Sequence, residues 1–276
     1  MVQERHDRAV GENPAEVYER YLVPVLFLPW AEELLRRAAP KQGERVLDVA
    51  CGTGAVARQA APLVGTTGLV VGLDVSPAML AVARSLPEPD GARIAWRHGS
   101  VEALPVEDAA VDVVLCQEGL QFFPDRAAAL GELRRVLGPG GRLVLSVSRG
   151  LDHQPVYAAL NAAIERHLGV PAMAAPFAFG DADALRALLD EAGFRTVAVE
   201  PVVRTARFPS PERFVRLSIL GAAAAVPALG RMDDAARDAL VGEIREELEP
   251  VLRAFTDGDS LAFPLARHVA VARVVP

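Results

Sequence analysis

The chain has 276 residues, 51% of them hydrophobic, enough apolar material for one substantial core without disulfide or metal staples. A formal net charge of −7 leaves no basic footprint for nucleic acid or for an anionic membrane surface, and it favours a small-molecule partner. The two cysteines, Cys51 and Cys116, sit at the ends of apolar strand-like runs and suit reduced thiols of a cytoplasmic protein; residues 1–21 are mixed in charge and show no apolar export segment.

After a polar leader, residues 14–39 place Tyr18, Tyr21, Leu22, Phe27 and Trp30 at helical spacing, with Pro24 and Pro29 breaking the helix. Two accounts of these aromatics stand side by side. They pack the segment on the rest of the fold, or Tyr18 or Tyr21 closes as a flap over a ligand, since a tyrosine offers a flat apolar surface and a hydroxyl. From residue 44 the pattern alternates: strand 44–49, helix 55–63, strand 69–75, helix 77–85, strand 94–97, strand 111–117 and strand 143–148, which predicts a parallel α/β sheet. The first strand breaks into Ala50-Cys51-Gly52-Thr53-Gly54, a turn whose glycines permit positive φ and close backbone approach. Gly52, Gly54 and Ala57, with Asp74 about 20 residues on, fit a dinucleotide fingerprint. Asp48 argues against it, because an acid beside the loop repels a pyrophosphate and suits a ligand with cationic groups. Asp74 ends the second strand just before Ser76-Pro77, an N-cap and first helical position, so its carboxylate lies where open α/β sheets bind ligands and is placed to accept from ribose hydroxyls.

The fourth strand runs into Gln117-Glu118-Gly119-Leu120-Gln121-Phe122-Phe123-Pro124-Asp125, a polar and aromatic loop before a helix that Gly138-Pro139-Gly140-Gly141 is expected to end. Further on, residues 185–192 read as a helix, 196–208 as a strand, and 261–275 as a last strand antiparallel to it. Between them residues 209–258 form an insertion with an apolar helix over 214–226 and a charged amphipathic one over 233–253. The division expected is a core of residues 1–208 and 259–276 with a helical flap at its start, and a helical lid at 209–258; a helix pair that only stabilises the core is the other account of the insertion.

In order and spacing, VLDVACGTG, VVGLDVSPAML, GSVEALP, CQEGLQFFPD and RRVLGPGG resemble the class I S-adenosylmethionine-dependent methyltransferases over roughly residues 40–148. Within them the chain is most similar to the branch holding the ubiquinone and menaquinone biosynthetic methyltransferases and many natural-product enzymes. The resemblance implies a doubly wound, seven-stranded, mostly parallel sheet and S-adenosylmethionine as cofactor. It implies that the first loop, Ala50 to Gly54 with Cys51 and Gly52 in it, holds the methionine part, Asp74 the ribose, and Val75 and Met79 the adenine, with the backbone at Gln117 meeting the methionine end. Where the family often has an acid contacting the adenine amino group, this chain has Ser100, so that contact falls to Ser100 or to backbone around Val101.

In-line methyl transfer needs alignment and exclusion of water more than a reactive side chain. For a hydroxyl acceptor a base helps, and His153, Glu118 and Gln121 are the candidates. Phe122 and an apolar face of Phe214, Leu217 and Leu220 are expected to complete a pocket for a small, partly apolar or aromatic metabolite. His98 reads as structural, whereas His6, His167 and His268 carry no motif context, and no cluster has metal-ligand spacing. A nicotinamide-dependent oxidoreductase and a cofactor-binding module without turnover are the competing readings. Nucleic-acid and protein methylation are disfavoured by a loop after the fourth strand that lacks an Asp/Asn-Pro-Pro-aromatic pattern.

Overall fold

The computed structural model describes residues 13–222 and 226–275, so the polar leader and His6 lie outside the described residues. A short helix α1 (Pro14–Val17) runs without a break into a π-helical segment, Tyr18–Phe27, and then α2 (Leu28–Ala38). The expected helix break at Pro24 is instead a widened coil, which tolerates a residue that has no N–H to donate. The sheet then begins with β1 (Arg45–Val49), followed by α3 (Ala55–Val64), β2 (Leu69–Asp74), α4 (Pro77–Ser85), β3 (Ile94–His98), β4 (Val111–Gln117), α5 (Arg126–Val136) and β5 (Leu137–Ser148). The second half carries α6 (Pro155–Leu168), α7 (Ala182–Glu191), β6 (Arg195–Phe208), α8 (Pro211–Ala222), α9 (Pro227–Gly230), α10 (Asp234–Leu252), β7 (Thr256–Asp257) and β8 (Ser260–Arg273).

The strand order is β3-β2-β1-β4-β5-β8-β6. β1 to β5 are mutually parallel, while β8 lies antiparallel between β5 and β6. The seven expected strands form this path, and an eighth, the two-residue β7, pairs with the start of β8 through a tight hairpin. Side chains on the central strands alternate between two cores. Val113, Leu115 and Val144 face one core with α2, α3, α6, α8 and α10, and Val114, Cys116 and Leu145 face the other with α5 and α7. This two-sided burial is why the strands read as unbroken apolar runs.

Two local readings change. Gly138 to Gly141 do not form a separate turn: Leu137 already pairs with Val111, and a register shift before Val113 lets β5 bulge through the glycines. The α6 helix was not read from the sequence, although Pro155 stands in its first turn and Gly169 closes it in the left-handed region.

Sheet order reverses at β1, whose neighbours are β2 on one side and β4 on the other. The carboxyl ends of these three strands therefore open a crevice, and the π-helical segment runs over it.

Candidate active site

The turn after β1 takes three positive φ angles in five residues: 51° at Ala50, 55° at Gly52 and 91° at Gly54. At Gly54 a side chain is doubly excluded. Besides its φ, an added Cβ would stand 2.2 Å from the Trp96 indole, which β3 pushes beneath the turn. Gly54→Ala should cost about 1–3 kcal/mol of stability in urea denaturation, and Trp96→Leu in that background should restore the part due to the clash while leaving the part due to φ. An unchanged midpoint for Gly54→Ala would contradict this packing.

Asp74 ties the turn down. One carboxylate oxygen accepts the Gly52 N–H at 2.8 Å and the other the Ser76 N–H at 2.8 Å, so the acid links the glycine turn to the entry of α4. Asp48 is only 1% exposed and accepts the Ala57 N–H at 3.0 Å. Burial pushes its carboxyl up to about 8, the Ala57 N–H opposes this, and the charge of Asp74 adds to it. Burial likewise pushes the Cys51 thiol up, and that of Cys116 to about 12; both are free and buried. Neither is therefore a ready nucleophile.

A cavity opens between these groups. Asp48, Ala50, Cys51, Thr53 and Gln117 line it, Ala55 and Val56 close its base, and Tyr18 and Phe27 cover it from the π-helical segment. The rings of Tyr18 and Phe27 lie 4.9 Å apart, and the Tyr18 ring packs beside Gly52. Gln117 reaches up to the segment, donating from its amide nitrogen to the Phe27 carbonyl at 3.0 Å. Its amide oxygen and the Thr53 hydroxyl are buried with no hydrogen-bond partner among the described residues. Two orphaned oxygens and a buried carboxyl that a neighbouring cation would ionise together form a set of acceptors. They fit a ligand rich in donors and positive charge, such as the amino acid end of S-adenosylmethionine, and do not fit a pyrophosphate.

The structure brings together Tyr18, Asp48, Ala50, Cys51 and Gln117 as cavity lining, with Gly52 and Asp74 joined directly behind it. Tyr21 points elsewhere: its ring meets the Arg213 guanidinium of α8 at 4.1 Å, so of the two tyrosines Tyr18 covers the cavity. Val75, 69% exposed, and half-buried Met79 follow Asp74 outside the lining. The Ser100 hydroxyl accepts the Glu102 N–H at 3.2 Å, and Val101 is buried in the second core.

The three expected bases divide. Gln121 donates to Glu118 at 3.0 Å, whereas His153 is exposed beside Arg149 and Asp152 and is not brought to either of them. Phe122 is exposed. Phe214 is wholly buried against Tyr157, Phe208 and Phe263, at ring separations of 5.5, 5.2 and 5.2 Å; Leu217 is buried in the same core and Leu220 partly so. None of the three lines the cavity. α8 does adjoin the π-helical segment.

Sequence reasoning missed Phe27 as part of the cover, Trp96 and Arg267, and it placed Thr53 in the ligand loop without giving its hydroxyl a role. Thr53 stood between the two glycines and carried the signal. Arg267 carried another, being a cation in the middle of a mostly apolar strand.

Residues 46–141 match the family model described as "Methyltransferase domain". The chain is 41% identical over 121 residues to the demethylmenaquinone methyltransferase of Thermus thermophilus, covering 43% of this chain and 53% of that protein. It is similar in structure to phosphoethanolamine N-methyltransferase 2 of Haemonchus contortus, solved with phosphomonomethylethanolamine and S-adenosylhomocysteine (TM-score 0.60, 21% identity, 95% of this chain and 57% of that one). It is also similar to a putative methyltransferase from Bacillus halodurans (TM-score 0.56, 22% identity, 89% of this chain and 99% of that one). The chain spans about half the length of the first of these relatives. Its match to the family model lies over β1 to the start of β5 and holds the cavity's lining apart from the Tyr18 and Phe27 cover.

Proposed function

We propose that this chain, which carries a class I methyltransferase domain over β1 to β5, transfers the methyl group of S-adenosylmethionine in line to a small, partly apolar or aromatic metabolite. The observation that carries the reading is the cavity's acceptor chemistry: a buried Asp48 carboxylate with the orphaned oxygens of Thr53 and Gln117 around it. The match to the methyltransferase family model and the similarity to quinone-type relatives support it. The same acid disfavours a nicotinamide cofactor.

S-adenosylmethionine supplies an electrophilic methyl group on a sulfonium. The protein's part is to bind, orient and exclude water. Asp48 offsets the positive charge, Asp74 holds the Gly52 turn and keeps lone pairs for the ribose, and Tyr18 and Phe27 keep water from the crevice. The backbone at Ala50, Cys51 and Gly52 meets the methionine end, Val75 and Met79 flank the adenine, and Ser100 or the Val101 backbone meets its edge. Glu118, with Gln121 hydrogen-bonded to it, is the base this reading favours over the exposed His153. The 209–258 segment is proposed as a lid acting through α8, which touches the π-helical cover; the burial of Phe214 and Leu217 makes Leu220 its candidate contact with an acceptor. Among the described residues no helix is long and apolar enough to cross a membrane. A cytoplasmic location is part of the proposal, supported by the two free, buried thiols.

The test is turnover. The full chain is incubated with methyl-labelled S-adenosylmethionine and a panel of phenols, hydroquinones and a metabolite extract, and products are read by mass spectrometry. A labelled small molecule formed with S-adenosylhomocysteine is the expected result. Bound cofactor without any labelled small product would contradict it and leave a binding module.

A further inference from the structure

Beside the cavity, on the far side of Phe27, lies a charged cluster that cofactor binding does not use. Arg267 of β8 is 3% exposed, with its guanidinium over Trp30 at 4.5 Å and near Phe27 at 5.8 Å. One terminal nitrogen donates to the Leu26 carbonyl at 3.0 Å. Its Nε lies 3.3 Å from Oε1 of Glu118 but is not aligned for a hydrogen bond, and neither Nε nor Nη1 has a hydrogen-bond partner among the described residues. Glu118 stands in the left-handed region at φ 55°, directly after the strand end that carries Gln117. The hydroxyls of Ser146 and Ser148 donate to it at 3.3 and 2.5 Å, and Gln121 donates to it at 3.0 Å. The Gln121 amide oxygen is a further buried orphan.

Such a cluster is expensive to keep for stability alone. A buried ion pair seldom outweighs an apolar replacement, and each buried polar atom left without a partner costs about 1–3 kcal/mol. A residue other than glycine in the left-handed region adds strain, which gathers at functional sites. The orphans also come in complementary kinds: donors on Arg267, an acceptor on Gln121, and a carboxylate on Glu118 between them. One hydroxyl group satisfies such a set, accepting from the guanidinium and donating to an oxygen. The Tyr18 hydroxyl lies within electrostatic reach of Arg267, Asp74 and Glu118 alike, so the cluster and the cofactor cavity share the Tyr18–Phe27 cover. The same cover is held shut by two bonds, from Arg267 to the Leu26 carbonyl and from Gln117 to the Phe27 carbonyl.

We propose that Glu118 and Arg267 form the acceptor's polar subsite and that it takes a phenolic or enolic hydroxyl on a flat apolar body. The proposal rests on the methyltransferase reading. Glu118 accepts the hydroxyl proton, and Arg267 holds the resulting oxyanion. The electron pair of that oxygen, or of the carbon conjugated with it, forms the new bond to methyl as the bond to sulfur breaks. At oxygen the products are the methylated acceptor, the thioether and a proton on Glu118; at an enolic carbon the balance is the same, the carbonyl forming with the new carbon–carbon bond; at a phenolic ring carbon the ring hydrogen leaves as a proton and the oxygen takes one back, so one proton is released in all. To admit the acceptor, the last turn of the π-helical segment releases Arg267, and the aromatic faces of Phe27 and Trp30 supply the apolar walls.

The experiment compares 1-naphthol with 1-methoxynaphthalene, which differ in the hydroxyl proton, titrated calorimetrically into the full chain saturated with S-adenosylhomocysteine. The wild type should prefer the naphthol by at least about tenfold, the effect of one hydrogen bond to a charged group. Glu118→Gln should abolish that preference. Because this variant leaves Arg267 buried without its counter-charge, the double variant Glu118→Gln/Arg267→Met, which buries neither charge, is measured beside it and should also show none. Retained S-adenosylhomocysteine affinity certifies that each variant is folded. Equal binding of the two probes by the wild type, no binding of either, or a preference that survives in the folded double variant overturns the subsite. Failure of the wild type to bind S-adenosylhomocysteine at all is a different result, which overturns the methyltransferase reading and the subsite with it.

Discussion

Asp48→Asn is expected to weaken S-adenosylmethionine binding about a hundredfold at pH 8 and, in the same protein without ligand, to raise thermal stability at alkaline pH. The two effects have opposite signs for one reason. The Asp48 carboxyl is held up to about 8 by burial, so the ligand-free fold resists its ionisation. A carboxyl whose pKa is higher in the folded than in the unfolded chain binds the extra proton when folded. Stability therefore falls as pH rises from about 4, the unfolded value, through about 8. Asparagine keeps the oxygen that accepts the Ala57 N–H at 3.0 Å and has no charge to desolvate, so it removes that loss. A cationic ligand reverses the balance by supplying the missing counter-charge. Removing a charge-assisted interaction of about 3 kcal/mol is about a hundredfold in affinity. In the wild type, binding below about pH 8 must expel the Asp48 proton, so affinity rises with pH up to that point and then levels off. Titrations in buffers of different ionisation enthalpy will show the released proton. Affinity independent of pH from about 6 to about 9 would remove Asp48 from the ligand's charge.

The second large effect belongs to Asp74→Ala. Removing one charge-assisted hydrogen bond to the ribose would by itself cost roughly 1.5–3 kcal/mol of cofactor affinity. The structure makes the expected loss larger, because the same carboxylate accepts the N–H of Gly52 and that of Ser76, both at 2.8 Å. Its removal frees the glycine turn as well as the ribose site. Asp74→Asn retains an amide oxygen for one of the two N–H groups and should lose less than alanine. Calorimetric titration of the folded variants checks the order: wild type tightest, asparagine intermediate, alanine weakest. Equal affinities of wild type and alanine would separate Asp74 from the cofactor.

The sheet was legible because its central strands are buried on both faces and the turns between them carry their own punctuation. Ser76-Pro77 marked the start of α4 at the residue where it begins, and Gly52 and Gly54 marked the turn after β1. What was not legible depends on contacts between distant segments. Nothing local to Phe27 places its carbonyl on Gln117, 90 residues away, and nothing local to Tyr18 and Tyr21 says which of them faces Gly52. Periodicity gives each helix a buried stripe but does not name the partner. By spacing alone Phe214 fits an acceptor wall equally well; in the fold the rings of Tyr157, Phe208 and Phe263 occupy its surroundings. The bulge at Gly138 to Gly141 was misread for a related reason, since the pairing of Leu137 with Val111 belongs to the sheet and not to the glycines. His153 looked usable from its place after β5, and only the fold turns it outward to Arg149.

One claim underlies the rest, that the cavity of Asp48, Thr53 and Gln117 beneath Tyr18 holds a cationic adenosyl cofactor. Calorimetric titration of the full chain with S-adenosylmethionine and, separately, with NAD tests it most directly. Stoichiometric binding of S-adenosylmethionine, weakened about a hundredfold in Asp48→Asn, with no heat from NAD, is the result predicted; binding of NAD with none of S-adenosylmethionine would contradict it.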